Sequence, residues 1–137
     1  MAELLDLEVV TPERQLVHEH VTEVQLPGKD GYMGILTGHA ALLGALGIGF
    51  LTYVAAGRRR YLSVHAGFVE VFEDHVRVLA DAAERAEEID IERARTALRR
   101  AQEQVINPAL GVDPAIALAA LQRAQARLAV AEHKQEE

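Results

Sequence analysis

VRVLADAAERAEEIDIERARTALRRAQEQV, residues 76–105, is where the chain changes its pattern. Its first residues, Val76-Arg77-Val78-Leu79-Ala80, alternate with period two, as a half-buried strand does. From Asp90 the apolar positions recur at Ile91, Ala94, Leu98, Ala101 and Val105, the spacing of one face of a helix. The change begins near Asp81. This one segment therefore holds the end of a β region and the start of a helical one.

Towards the N-terminus the period-two pattern continues. Leu5, Leu7 and Val9 fall on one strand face, and residues 16–23 alternate again. Pro27-Gly28-Lys29-Asp30-Gly31 is a turn cluster. Strands are expected at Tyr32–Leu36, Phe50–Val54 and from Tyr61, with a hairpin turn at Ala56-Gly57-Arg58. A last hairpin, Phe68–Glu73 with Val76–Ala80, is expected to turn at Asp74-His75. Many short strands with glycine-rich turns and no intervening helix predict an antiparallel sandwich or barrel.

Towards the C-terminus, Asn107-Pro108 stops the first helix, because proline disfavours helix at the residue before it. Asp113-Pro114 starts a second, with Asp as cap and Pro at the first helical position. Ala117, Leu121, Ala124, Leu128 and Ala131 make its stripe. The fold class is thus an all-β N-terminal domain, residues 1–84, followed by an antiparallel α-helical hairpin, residues 85–137. The helices are expected at about 90–106 and 113–133. Alanine dominates the seam and buries little area at roughly 25 cal/mol per Å². The hairpin is therefore either a marginal unit able to leave the β domain or an ordinary packed one.

Composition limits the function. Half of the 137 residues are hydrophobic, which implies a folded core. No apolar run reaches about 18 residues, and the acidic start, Met1 to Leu7, does not read as a secretory signal. The absence of cysteine excludes disulfides and thiolate sites. A net charge of -7 argues against nucleic acid. Residues 1–89 hold 14 acids against 7 Lys and Arg, whereas residues 90–137 hold 7 of each. The two halves thus differ electrostatically as well as in pattern.

No active site of a familiar kind is visible. Ser63, the only serine, shares a strand face with His65, but no nucleophile-elbow motif surrounds it, and a packed strand pair explains both. His18 and His20 share a face, too few ligands for a metal. No Gly-rich phosphate loop occurs. The arginines say more. Arg93 and Arg100 lie seven apart on one helix, and Arg123 and Arg127 four apart on the other. With the hairpin centred near Leu110, Arg93 and Arg127 come out level. Converging guanidiniums suit phosphate oxygens; a solvated basic face, or one meeting acids on a partner, is the alternative.

Four stretches in order resemble the ε subunits of bacterial F-type ATP synthases. They are Gly31-Tyr32-Met33-Gly34-Ile35-Leu36-Thr37-Gly38-His39-Ala40-Ala41-Leu42-Leu43, Val64-His65-Ala66-Gly67-Phe68-Val69-Glu70-Val71, Val76–Asp81 and Ile89-Asp90-Ile91-Glu92-Arg93-Ala94. The resemblance implies a non-catalytic central-stalk subunit of a proton-translocating ATP synthase, peripheral on the cytoplasmic face of the bacterial plasma membrane. It touches the membrane only through the complex. The implied partners are the γ subunit and the c-ring loops, through Tyr32, Gly38, His39 and Leu42. An acidic segment of the catalytic β subunit is a further implied partner when the hairpin extends and hinders ATP hydrolysis. No cofactor is required. ATP is implied as a regulatory, unhydrolysed ligand. Ile89 and Asp90 would lie at its adenine end and Arg93, Arg100, Arg123 and Arg127 towards its phosphates, with Glu84 and Ala94 in the same motif. A free-standing ATP sensor with a mobile helical arm is the competing reading. The chain departs from the family pattern at Thr37 and Ala41, where proline is common, and at Asp74, where Asn is common. At Ala66, where Gly is common, the substitution predicts a backbone that does not need positive φ.

Overall fold

The computed structural model describes residues 3–134; the outermost ends of both expected segments, residues 1–2 and 135–137, lie outside the described residues. Seven strands precede two helices: β1 Leu5–Val10, β2 Gln15–Val21, β3 Glu23–Gly28, β4 Gly31–Ile35, β5 Leu42–Ala55, β6 Arg58–Phe72, β7 His75–Arg85, α1 Ile91–Ile106 and α2 Pro114–Ala131. The strand order is β2-β1-β7-β6-β5-β3-β4. Only β1 with β7 is parallel; the other pairs are antiparallel. The β-sandwich followed by a helical pair is the architecture that the alternation and its break predict.

The sequence suggests short strands, but β5, β6 and β7 are long. Each carries a change of phase near its middle. On β6 the core-facing residues are Leu62 and Val64 before the change and Val69 and Val71 after it. On β7 they are Val76, Val78 and Ala80, then Ala83; on β5 they are Leu46, then Leu51 and Tyr53. Even positions give way to odd ones in all three strands. Pairing register is kept across the change, so the three strands turn a corner together and fold the sheet over one core.

Ala66 and Gly67 make the corner on β6. Both have positive φ, 59° and 124°. The expectation that Ala66 needs no positive φ is therefore wrong. The corner imposes that backbone, and Ala66 adopts a left-handed conformation at a steric cost of about 1–2 kcal/mol. The last turn is also displaced by one residue from the expected Asp74-His75. Phe72 pairs with His75, which leaves Glu73 and Asp74 as the two central residues, with φ of 46° and 63°. A two-residue hairpin needs positive φ at both, and Asp tolerates it.

On the hairpin side of the corner, the strands are covered on both faces. One face lines the main core. The other, with Phe50, Tyr61, Ser63 and His65, lies under the hairpin. Asp90 caps α1, its carboxylate accepting from Arg93 N at 3.1 Å. Asp113 caps α2 through Ala115 N at 2.8 Å. Ala94 and Ala101 of α1 and Ala117, Ala124 and Ala131 of α2 are buried, as the alanine stripes predict. The hairpin meets the β domain through a small separate cluster of Ala86, Ile89, Ala94, Val130 and Ala131, flanked by Phe50, Tyr61, Ile91 and Leu128.

Candidate functional site

The polar side chains of interest converge where β7 runs into the hairpin. β7 delivers Glu84, a short 3-10 turn at Ala86–Glu88 delivers Glu88, and Ile89-Asp90 leads into α1. α2 returns antiparallel and brings Arg127 back to the same place. Glu84, Glu88, Asp90, Arg93 and Arg127 line one cavity of about 180 Å³. The level placement of Arg93 and Arg127, counted outwards from Leu110, is what the structure has.

Its charges are mostly paired. Arg127 Nε donates to Glu84 Oε1 at 2.5 Å. Arg14, from the β1–β2 connection, donates to both oxygens of Glu88, at 2.5 and 3.0 Å. That fork and the backbone donor of Arg85 hold the Glu88 carboxyl below its usual range, against the opposing effect of partial burial. Asp90 is occupied as a helix cap. Arg93 has no ion pair among the described residues. It is the uncompensated cation of the cavity.

The other expected ligands are placed differently. Ala94 and Ile89 are buried in the junction cluster, and the Ile89 carbonyl accepts from Lys134 Nζ at 2.7 Å. Arg123 is half-buried and faces His65 rather than lining the cavity. Arg100 is exposed and absent from the lining, two turns or about 10.5 Å along α1 from Arg93. Sequence reasoning missed Glu88, Arg14 and Lys134. Only the acidic pair Glu87-Glu88 just before Ile89-Asp90 offers a local signal.

Ser63 and His65 lie beneath the hairpin, both buried, with Nε2 and Oγ 3.3 Å apart. Glu84 is 4.0 Å from the ring and engaged by Arg127. Burial, then the Arg127 charge, lowers the His65 pKa to about 4. No substrate reaches this pair, which is a packed strand histidine and serine. Among the described residues no group of three or more His, Asp or Glu is arranged to hold a metal ion, although His18 and His75 both approach Asp6, at 3.5 and 3.2 Å.

The four residues of the expected partner loop are divided. Gly38 N donates to Asp74 Oδ1 at 2.8 Å, which ties the loop to the β6–β7 turn; His39 Nδ1 lies 2.8 Å from the Ala40 carbonyl. Leu42 opens β5 beside Val71. Tyr32 is at the hairpin side instead. Its ring lies 5.1 Å from Phe50 and its hydroxyl accepts from Phe50 N. A side chain at Gly49 would collide with that hydroxyl and approach Pro27 Cβ to 2.9 Å.

Two family models match in tandem. The ATP synthase delta/epsilon chain β-sandwich domain covers residues 4–86 and the delta/epsilon long α-helix domain covers residues 87–132. An ATP synthase epsilon chain from Solibacter usitatus is 66% identical over 134 residues, which is 98% of this chain and all of the relative. The chain belongs to the ATP synthase epsilon family. Another epsilon chain, from Nitratidesulfovibrio vulgaris strain DP4, is 47% identical over 95% of this chain and 97% of its own length. Among solved structures, a chain of the Euglena gracilis mitochondrial ATP synthase (OSCP/F1/c-ring) aligns with a TM-score of 0.81 at 26% identity, covering 95% of this chain and 82% of that one. A chain of the Tetrahymena thermophila central stalk and c-ring shares the fold, with a TM-score of 0.52 at 14% identity. Members of the epsilon family are subunits of the synthase and not its catalytic chains, in keeping with the buried Ser63 and His65. No helix among the described residues is long and apolar enough to cross a membrane.

Proposed function

We propose that this chain is the central-stalk subunit that couples rotation of γ and the c-ring to ATP synthesis in a proton-translocating enzyme. It would sit peripherally on the cytoplasmic face of the bacterial plasma membrane. Its hairpin restrains ATP hydrolysis when it extends towards the acidic segment of a catalytic β subunit, and ATP latches it in the docked form. The coupling part is supported by an uncovered sheet face where Leu43, Phe68, Phe72 and Leu79 are exposed between Glu70 and Arg77, a mixed surface suited to a protein partner. The loop tied by Asp74 carries Gly38 and His39 beside it, which supports the reading that this end meets the ring.

The regulatory part rests on one observation: the cavity holding Arg93 and Arg127 takes its walls from β7, α1 and α2 together. A ligand there touches both domains and so stabilises docking. At about 180 Å³ the cavity is below the roughly 300–1,000 Å³ of sites that enclose a whole small molecule. The nucleotide therefore enters by drawing Arg127 from Glu84, and its base end competes with Lys134 for the Ile89 carbonyl. Once drawn away, Arg127 offers both its Nε–H and its Nη groups to phosphate.

The test is a melting curve with and without ATP. A ligand that binds only the docked form stabilises it by RT ln(1 + [L]/Kd), about 2.7 kcal/mol at a hundredfold excess over Kd. Millimolar ATP is expected to raise Tm. Arg93→Ala is expected to abolish that rise while leaving the ligand-free Tm nearly unchanged, because Arg93 has no ion pair to lose. An Arg93→Ala protein that responds to ATP as fully as the parent would remove the latch from this cavity.

A further inference from the structure

We propose that His65 makes docking of the hairpin sensitive to protons: the neutral ring belongs to the dry floor on which α2 rests, and the protonated ring releases α2. This rests on the reading that the hairpin can leave the β domain.

The geometry is specific. His65 lies on β6 just before the corner, 4% exposed, on the face that α2 covers. Its Nε2 meets Ser63 Oγ, 3.3 Å away, while its Nδ1 is buried without a hydrogen-bond partner. The charged groups around it come from every element packed there. β7 supplies Glu84, 4.0 Å from Nε2. α2 supplies Arg123 and Arg127, both acting on the ring with positive charge. The β5 neighbour, Ile48, is apolar. Round the adjoining cavity stand Glu88, Asp90 and Arg93.

Protonating the ring would place a second buried N–H with no acceptor and add a cation beside two arginines. Only Glu84 opposes this, and Arg127 already engages it at 2.5 Å. A buried imidazole in such surroundings stays neutral. Lifting α2 removes the cover and both arginines at once, so the undocked ring returns towards its ordinary pKa. The sign follows from linkage. The docked pKa is lowered, from 6.5 to about 4, so protons bind the undocked form more tightly. Docking is at full strength above about pH 6.5 and weakens as pH falls towards about 4. Between pH 7.5 and 5.5 the undocked fraction is expected to rise about tenfold, and by pH 5 about thirtyfold. Glu88, held low by Arg14, loses its contribution only in more acid solution, below its ordinary 4.5, so the two effects occupy different windows.

The test uses the full chain, whose lack of cysteine lets one introduced pair of dyes, on Lys29→Cys and Gln102→Cys, report docking. The separation of the dyes is followed from pH 7.5 to 5. The parent is expected to show the tenfold rise by pH 5.5. His65→Gln, and independently the more compact His65→Ser, should lose it. His133→Gln should keep it, although His133 stacks on Tyr61 at 3.6 Å at the far end of the hairpin. In parallel, the His65 ring followed by NMR should titrate near pH 4 in the docked chain. A parent slope unchanged in both His65 variants overturns the proposal. A parent hairpin with no pH response, although Val130→Asp opens it, overturns it while sparing the movement. A hairpin that never opens, even in Val130→Asp, removes both.

Discussion

Gly67→Ala is expected to cost the β domain more than about 4 kcal/mol, enough to leave it largely unfolded at 25 °C given the roughly 5–15 kcal/mol typical of a domain. Two effects combine. The backbone at Gly67 has a φ of 124°, which a residue with a Cβ adopts only under strain. An added Cβ would also sit far inside the Leu79 carbonyl oxygen, 2.8 Å from Ala80 Cα and 3.0 Å from the Leu79 carbonyl carbon. These are backbone atoms of β7, the strand paired with β6 at this point. They move only if the β6–β7 ladder parts, and that ladder carries the corner. Ala66→Gly gives the opposite sign: a φ of 59° costs glycine nothing, so the change should stabilise by about 1 kcal/mol. Urea denaturation followed by circular dichroism reads both. A Gly67→Ala protein with a parental midpoint would mean that the corner is not built as described.

Val130→Asp is expected to release the hairpin and leave the β domain folded. Val130 is fully buried in the junction cluster. A carboxylate there meets the apolar side chains of Ala86, Ile89, Ala94 and Ala131, a cost of several kcal/mol if the site stays closed. The cluster itself is small and three of its five buried members are alanines, so opening is the cheaper response. The main core contains no residue of α1 or α2, so it does not depend on the hairpin. Hydrogen exchange should show α1 and α2 losing protection by at least about a hundredfold, with β5, β6 and β7 unchanged near Leu62, Val64 and Val69. Loss of protection throughout would mean that the two parts form one cooperative unit. Such a result would count against a mobile hairpin.

What could be read from the sequence was whatever obeys a local rule. Period two in residues 5–9 and 76–80 and helical spacing from Ile91 give both halves, and Asp113-Pro114 and Asn107-Pro108 mark their own helix ends. Simple antiparallel counting brings Arg93 to Arg127. The corner was not legible in this way. A strand that changes face keeps its alternation on either side, and Ala66 hides the positive φ that a glycine pair would advertise. Arg14 and Glu88 meet across 74 residues, and nothing near either of them announces the other. The same holds for His65, whose significance comes from α2 lying over it. Arg100 shows the limit of helical arithmetic: sharing a stripe with Arg93 does not bring it to a cavity two turns away.

The central claim is that a permanently folded β domain carries a detachable hairpin that restrains hydrolysis. Its most direct test compares ATP hydrolysis by the assembled catalytic head carrying the full chain with the same head carrying a chain ending at Glu88. The shortened chain keeps the whole main core and the loop held by Asp74, so it should still assemble. Hydrolysis is expected to be faster with the shortened chain, and the difference should shrink when ATP is high enough to dock the hairpin. Equal rates at low and high ATP would contradict the account.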